Sequence, residues 1–301
     1  MQELATKFGL DVNVAFVLIF YSLIWVRILG MAAMVPFLLG KPVPKYVMVG
    51  ASAAMAVFVY PNLIPAVHPH LADDWMLLAV LYVKEAFYGI TMGMAVGIIF
   101  HAFASVGQMI DNQRGMSIAR ILIPSLGQQL SVSALFIFQL SIVIFFTTGG
   151  HLLFFDSFFS SYLVLPVLEF PVMGPGFFPL VDLFINITGE VIFIALQMSA
   201  PVIIAIFLAD LILGIANRVA PQINVWMLGF TLKGYVGILL MFISFTMICS
   251  QIEYYCLRSD RHVDQIVELL RGRVPVDAPQ LDAPESGLPK TKEGIQPVIT
   301  Q

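Results

Sequence analysis

Residues 75–105 read WMLLAVLYVKEAFYGITMGMAVGIIFHAFAS, and this stretch decides the fold class. A bilayer core of about 30 Å needs about 20 apolar residues per helical pass, and this run exceeds that length. Its only Lys, Arg, Asp or Glu residues are Lys84 and Glu85. Gly89, Gly93 and Gly97 form a GxxxGxxxG stripe, the spacing that lets a second helix approach closely. The segment reads as a membrane helix built to pack, with partner chains expected to fill the stripe.

The same length rule marks residues 14–35, 46–67 and 130–148, and two longer runs, 180–215 and 225–257. Residues 151–168 are apolar and aromatic but contain Asp156 and Pro166, which fits a partial pass or an interfacial helix. Pro36, Pro42, Pro44, Pro61, Pro65, Pro171, Pro175 and Pro221 punctuate the helix ends. The fold expected is therefore all-α, an integral membrane helical bundle. Composition agrees: 59% of residues are hydrophobic and 11% charged, against about 25% charged in soluble domains. Mean hydropathy is +0.91. A formal net charge of −4 without clustered Lys or Arg excludes nucleic acid as a partner. The N-terminus lacks the basic region and cleavage site of a removable signal, so residues 14–35 read as an uncleaved first anchor.

Basic residues in short loops favour the cytoplasm. Lys41 and Lys45 place the first loop inside, residues 68–74 outside, Arg114 and Arg120 inside, and 149–176 outside. Single crossings of 180–215 and 225–257 would then leave Arg258 and Arg261 outside, against the rule. A bent pair of half-helices within 180–215, where Gly189 and Pro201 sit, would repair the count. Residues 1–257 form the membrane part of this reading, 258–274 a short amphipathic helix, and 275–301 a tail too polar to bury itself, expected to be disordered.

Ionisable side chains inside apolar helices are expensive and are functional candidates. Lys84 and Glu85 fit anchoring or pairing with other helices, with a proton relay as the alternative. Arg27, Asp182, Glu190 and Asp210 either pair inside the bundle or meet a partner subunit or a water-filled path. An ion-coupled secondary transporter would use Asp182, Glu190 and Asp210 as its coupling site, but it predicts an internal repeat, and none is visible. A polar cluster spans residues 107–129, from Gly107 and Gln108 to Gln129, too polar to face lipid; it reads as a cytoplasmic loop or a re-entrant one. A second cluster, residues 217–225, is a polar turn in which Asn224 can cap the next helix. Neither holds a nucleophile with a base, a phosphate-cradling loop or a metal set, so no enzymatic activity and no cofactor is expected.

These clusters also carry a resemblance. GQMIDNQRG at 107–115, with GQQ at 127–129, GGH at 149–151 and SY then P at 161–166, resembles the middle of the T subunit of the type III secretion export apparatus, the family that includes flagellar FliR. NRVAPQINVWMLGFTLKG at 217–234 resembles its C-terminal signature. The first helix with Arg27, followed by PFLLGKPVP at 36–44, also fits. DNQRG is closer to the injectisome branch and LGF with a later Lys to the flagellar one; the injectisome is the expectation.

The resemblance implies one T subunit joining several R and S subunits in a closed hetero-oligomeric helical assembly built of bent helical hairpins, with the U and V subunits as neighbours. It implies an inner-membrane location, the assembly raised toward the periplasm, and an entrance channel for unfolded protein substrates, driven by an ATPase and the proton gradient through other subunits. By position, the plug closing that channel at rest would comprise Gln108, Asp111, Asn112, Gln113, Arg114, Gly115, Arg120 and Pro124. Asn217, Arg218, Pro221, Gln222, Asn224 and Lys233 would form a turn toward the cytoplasmic mouth.

Overall fold

Apolar runs of this length form helices because a backbone away from water must satisfy its own hydrogen bonds. A computed structural model describes residues 14–39, 44–63, 75–116, 131–169, 177–220, 222 and 224–272. Among them, in order, are α1 (Val14–Met34), α2 (Pro36–Leu39), α3 (Lys45–Leu63), α4 (Trp75–Gln113), α5 (Val132–Thr147), α6 (Gly150–Val164), α7 (Phe177–Val219), α8 (Val225–Ile243) and α9 (Phe245–Leu270). The described residues contain no strand, as an all-α membrane bundle requires.

The quoted stretch is the centre of the molecule. α4 packs against α1, α5, α7 and α9, and 67% of its apolar stretch is buried, against 33% for α7. The glycine stripe faces α1 of the same chain: a Cβ on Gly89 would lie 2.0 Å from the Arg27 carbonyl oxygen, on Gly93 2.7 Å from that of Met31, and on Gly97 2.7 Å from that of Met34. The close approach that the spacing predicts is thus intramolecular. An aromatic knot closes the same end of the bundle. The Phe37 ring in α2 lies 4.7 Å from Phe145 and 5.7 Å from both Phe100 and Phe154, centroid to centroid, joining α2, α4, α5 and α6. α3 is tied to α1 by Tyr21, whose hydroxyl donates to Ala53 O at 2.8 Å, and by Trp25, whose indole N–H donates to Ser52 Oγ at 3.0 Å.

The bends fall elsewhere than expected. α7 is one helix of 43 residues that carries Pro201 within it, not a pair of half-helices. A proline removes one backbone hydrogen bond, which a long apolar helix tolerates. α5 and α6 instead meet at 73°, and α8 and α9 at 59°. Gly149 makes the first bend: its φ of 79° is a left-handed conformation and its Cβ position is open, so backbone freedom is what the site uses. The arms of that pair, 16 and 15 residues, are shorter than one crossing. α7 therefore does not supply the break that would repair the count of crossings. By length and composition α1, α3, α4 and α7 can each span a membrane, with up to six spans if each bent pair is one.

α9 runs unbroken through residue 258, so the amphipathic segment continues the preceding helix. Ile248, Ile252, Cys256, Val263 and Ile266 form its buried face, the stripe of a helix laid against a core. The expected tail, 275–301, lies outside the described residues. α7 and α8 expose large apolar side chains along their length, among them Ile192, Phe207, Ile215, Tyr235 and Phe242. Such a surface belongs against lipid or a protein partner.

Candidate functional site

Three polar constructions occupy the bundle. The first holds the buried charges together. Arg27 and Glu85 are both 0% exposed. Arg27 Nε donates to Glu85 Oε2 at 2.5 Å and Nη2 to Oε1 at 3.0 Å, a two-pronged pair. The guanidinium also donates to Ser161 Oγ at 3.3 Å and Leu165 O at 2.9 Å, and lies 4.2 Å from the Tyr162 ring centre. The Lys84 ammonium lies 2.9 Å from Glu85 Oε1. It donates to the carbonyls of Pro166, Val167 and Glu169 at 3.0, 2.8 and 2.7 Å. Neighbours in sequence do not face each other on a helix, yet the long lysine side chain reaches round to the carboxylate. Two cations thus share one carboxylate, and carbonyls following the C-terminus of α6 supply the remaining negative potential. Lys84 and Glu85 are thus paired within the bundle, with each other, with Arg27 and with the carbonyls after α6. The SY-then-P segment that carried part of the resemblance is the cradle for these cations.

The second construction ties the end of α4 to the start of α5. Asp111, fully buried, accepts from Ser133 N at 3.1 Å, Ser133 Oγ at 2.6 Å and Arg114 Nη1 at 3.0 Å. Ser131 caps α5, its hydroxyl accepting from Ala134 N at 3.0 Å. A carboxylate at a helix N-terminus meets unpaired N–H groups and the positive end of the helix dipole. Gly107 permits the contact, since a Cβ there would lie 2.3 Å from Ala134 N. α4 accordingly extends through the polar cluster to Gln113: Gln108 donates along the helix to Asn112 Oδ1 at 3.4 Å, and Gln108, Asp111, Asn112 and Gln113 are helical, not loop. Arg114 and Gly115 form the turn that follows. Arg120 and Pro124 lie outside the described residues. Asp111→Ala is expected to leave the Ser133 amide without its acceptor, at a cost of about 1–3 kcal/mol. Faster hydrogen exchange at Ser133 than in the parent protein is the check, and unchanged exchange would contradict this role.

The third construction brings the two sequence clusters together. The Arg114–Gly115 turn docks on α8: a Cβ on Gly115 would lie 2.6 Å from Phe230 Cε1, and one on Gly237 2.6 Å from Arg114 Cδ. Beside this contact lies an open cleft of about 690 Å³. Asn112, Gln113 and Gly115 line it from the end of α4, Asp210 and Asn217 from α7, and Asn224, Phe230 and Lys233 from the start of α8. Lys233 Nζ pairs with Asp210 Oδ1 at 2.5 Å. Asn224 caps α8, accepting from Met227 N at 3.3 Å. Arg218 sits in the last turn of α7, where a cation suits the helix dipole. Gln222 is exposed, and Pro221 lies outside the described residues. Over 100 residues separate Asn112 from Asn217 in sequence, so spacing alone carried no sign of their convergence.

The three acids of α7 do not form one site. On a continuous helix rising about 1.5 Å per residue, Glu190 lies about 12 Å from Asp182, and Asp210 about 30 Å beyond that. Glu190 pairs with Arg258 at 3.3 Å, with His262 3.7 Å away. Asp182 is exposed. Among the described residues no group of three His, Cys, Asp or Glu side chains could hold a metal. Sequence reasoning missed Ser133 and Gly237, which carry no charge and lie far in sequence from Asp111 and Arg114, the residues they meet.

Residues 18–258 match the family model described as "Bacterial export proteins, family 1". The "Yop proteins translocation protein T" of Yersinia pestis is 32% identical over 234 residues, 77% of this chain and 84% of that protein. The "Flagellar biosynthetic protein FliR" of Bacillus subtilis (strain 168) is 30% identical over 230 residues, 76% and 86% of the two chains. The "Surface presentation of antigens protein SpaR" of Shigella sonnei is 28% identical over 179 residues, 58% and 66% respectively.

Proposed function

The chain belongs to the bacterial export proteins of family 1, and from that premise we propose that it is the T subunit of an injectisome export gate in the bacterial inner membrane. It assembles there with R and S subunits, with U and V subunits beside them, and the assembly passes unfolded proteins across the membrane. The slightly higher identity to the Yersinia translocation protein than to the Bacillus flagellar one favours the injectisome branch. The apolar faces of α7 and α8 suit burial against partner helices.

One observation carries the reading of the path: both sequence clusters that resemble the family line a single polar cleft next to the turn at Arg114 and Gly115. Carboxamides and glycines offer a passing chain hydrogen bonds and room without binding any one side chain tightly. The turn and the chain beyond it, with Arg120 and Pro124, form the resting plug of this reading, and residues 217–224 its cytoplasmic-side rim. No chemistry is assigned to the subunit, which acts as structure and passage.

The test uses the assembled secretion complex with a substrate stalled by a folded C-terminal domain. A photo-crosslinking residue at Asn112 or Asn217 is expected to capture the stalled chain, and one at Ile204 on the outer face of α7 is not. Capture at Ile204 with none at the two cleft positions would overturn the reading.

A further inference from the structure

Among the described residues that line the cleft, the charged side chains are one carboxylate, Asp210, and one ammonium, Lys233, bonded to each other at 2.5 Å. Both remain partly exposed, at 41% and 25%, so they face the space of the cleft. The rest of the lining consists of carboxamides, glycines and apolar groups. Arg114, at the turn beside the cleft, is committed to Asp111 in the tie to α5.

A passage lined by charge of one sign selects by sign: it concentrates opposite charges and excludes like ones. A passage for chains of unrelated sequence must admit acidic and basic stretches alike. The geometry points to the Asp210–Lys233 pair as the element that sets charge selectivity, holding the cleft neutral so that passage does not depend on the sign of the segment. This rests on the cleft being part of the export path. The pair also joins α7 to α8, so it must be distinguished from a brace between helices.

Three exported reporters, alike except for a neutral, an Asp/Glu-rich or a Lys/Arg-rich stretch, are followed in the assembled complex. Asp210→Asn leaves Lys233 alone and is expected to lower export of the basic reporter about tenfold relative to the acidic one, the size of a single close charge at high effective dielectric. Lys233→Gln leaves Asp210 alone and is expected to give the opposite bias. The exchange Asp210→Lys with Lys233→Asp restores a neutral pair and removes the bias, which also keeps the test readable if one single variant fails to accumulate. Equal losses for all three reporters in both single variants would identify a mere brace and overturn the inference, as would no bias in either. The crosslink at Asn112 separates the two levels: capture without bias sinks only this inference, and absence of capture sinks the path itself.

Discussion

Glu85→Gln is expected to unfold at markedly lower temperature in detergent, or to fail to accumulate in the membrane, because it leaves the Arg27 guanidinium and the Lys84 ammonium buried with no carboxylate between them. The amide keeps the size of the side chain, so the effect isolates charge. Removing one partner of a buried pair costs about 3–5 kcal/mol, since the remaining charge keeps its desolvation penalty. Here two cations are stranded, which places the loss at the upper end. The carbonyls after α6 cannot take over, because they already accept from the same cations. Combining Glu85→Gln with Lys84→Met removes one stranded cation and is expected to recover part of the stability. Parental melting behaviour of Glu85→Gln would show that this network does not hold the bundle.

The second large effect is steric. Gly89→Ala is expected to cost about 3 kcal/mol or more, at the top of the usual range for overpacking. Its Cβ would lie 2.0 Å from the Arg27 carbonyl, and backbone cannot turn aside as a flexible side chain can. α1 must back away from α4, carrying Arg27 from Glu85. The two substitutions are therefore expected to be non-additive, as for residues sharing one network. Gly189→Ala in α7 is the control: nothing lies within 4 Å of its Cβ position. Replacing a helical glycine there is expected to be neutral or to stabilise by about 0.5–1 kcal/mol. Equal losses at Gly89 and Gly189 would refute the packing of α1 on α4.

Much of this was legible in the sequence, for reasons that also mark where legibility ends. Apolar length disclosed the helices, and the stripe of Gly89, Gly93 and Gly97 disclosed a close helix contact, because both are written in consecutive residues. Which helix fills the stripe was not written there, and it proved to be α1 of the same chain. Bends followed the same limit. Pro201 and Gly189 marked α7 as the place to break, yet α7 continues, and the chain turns at Gly149 and Ser244. A left-handed glycine ends a helix wherever the backbone needs it, whereas a proline inside a long apolar helix costs one hydrogen bond. The role of Arg27 was narrowed to pairing or function but not to partners, and Asp111 was read as part of a polar loop, since Ser161, Leu165 and Ser133 are silent in composition. The cleft was the least legible feature. Its lining residues are separate motifs in the sequence and one surface only after α4, α7 and α8 pack.

The central claim is that this chain works as one subunit of a larger export gate. Native mass spectrometry of the chain co-expressed with R and S export subunits and purified in detergent tests it most directly. The account predicts one large particle containing a single copy of this chain with several copies of its partners. A stable monomer or homodimer that leaves both partners unbound would contradict it.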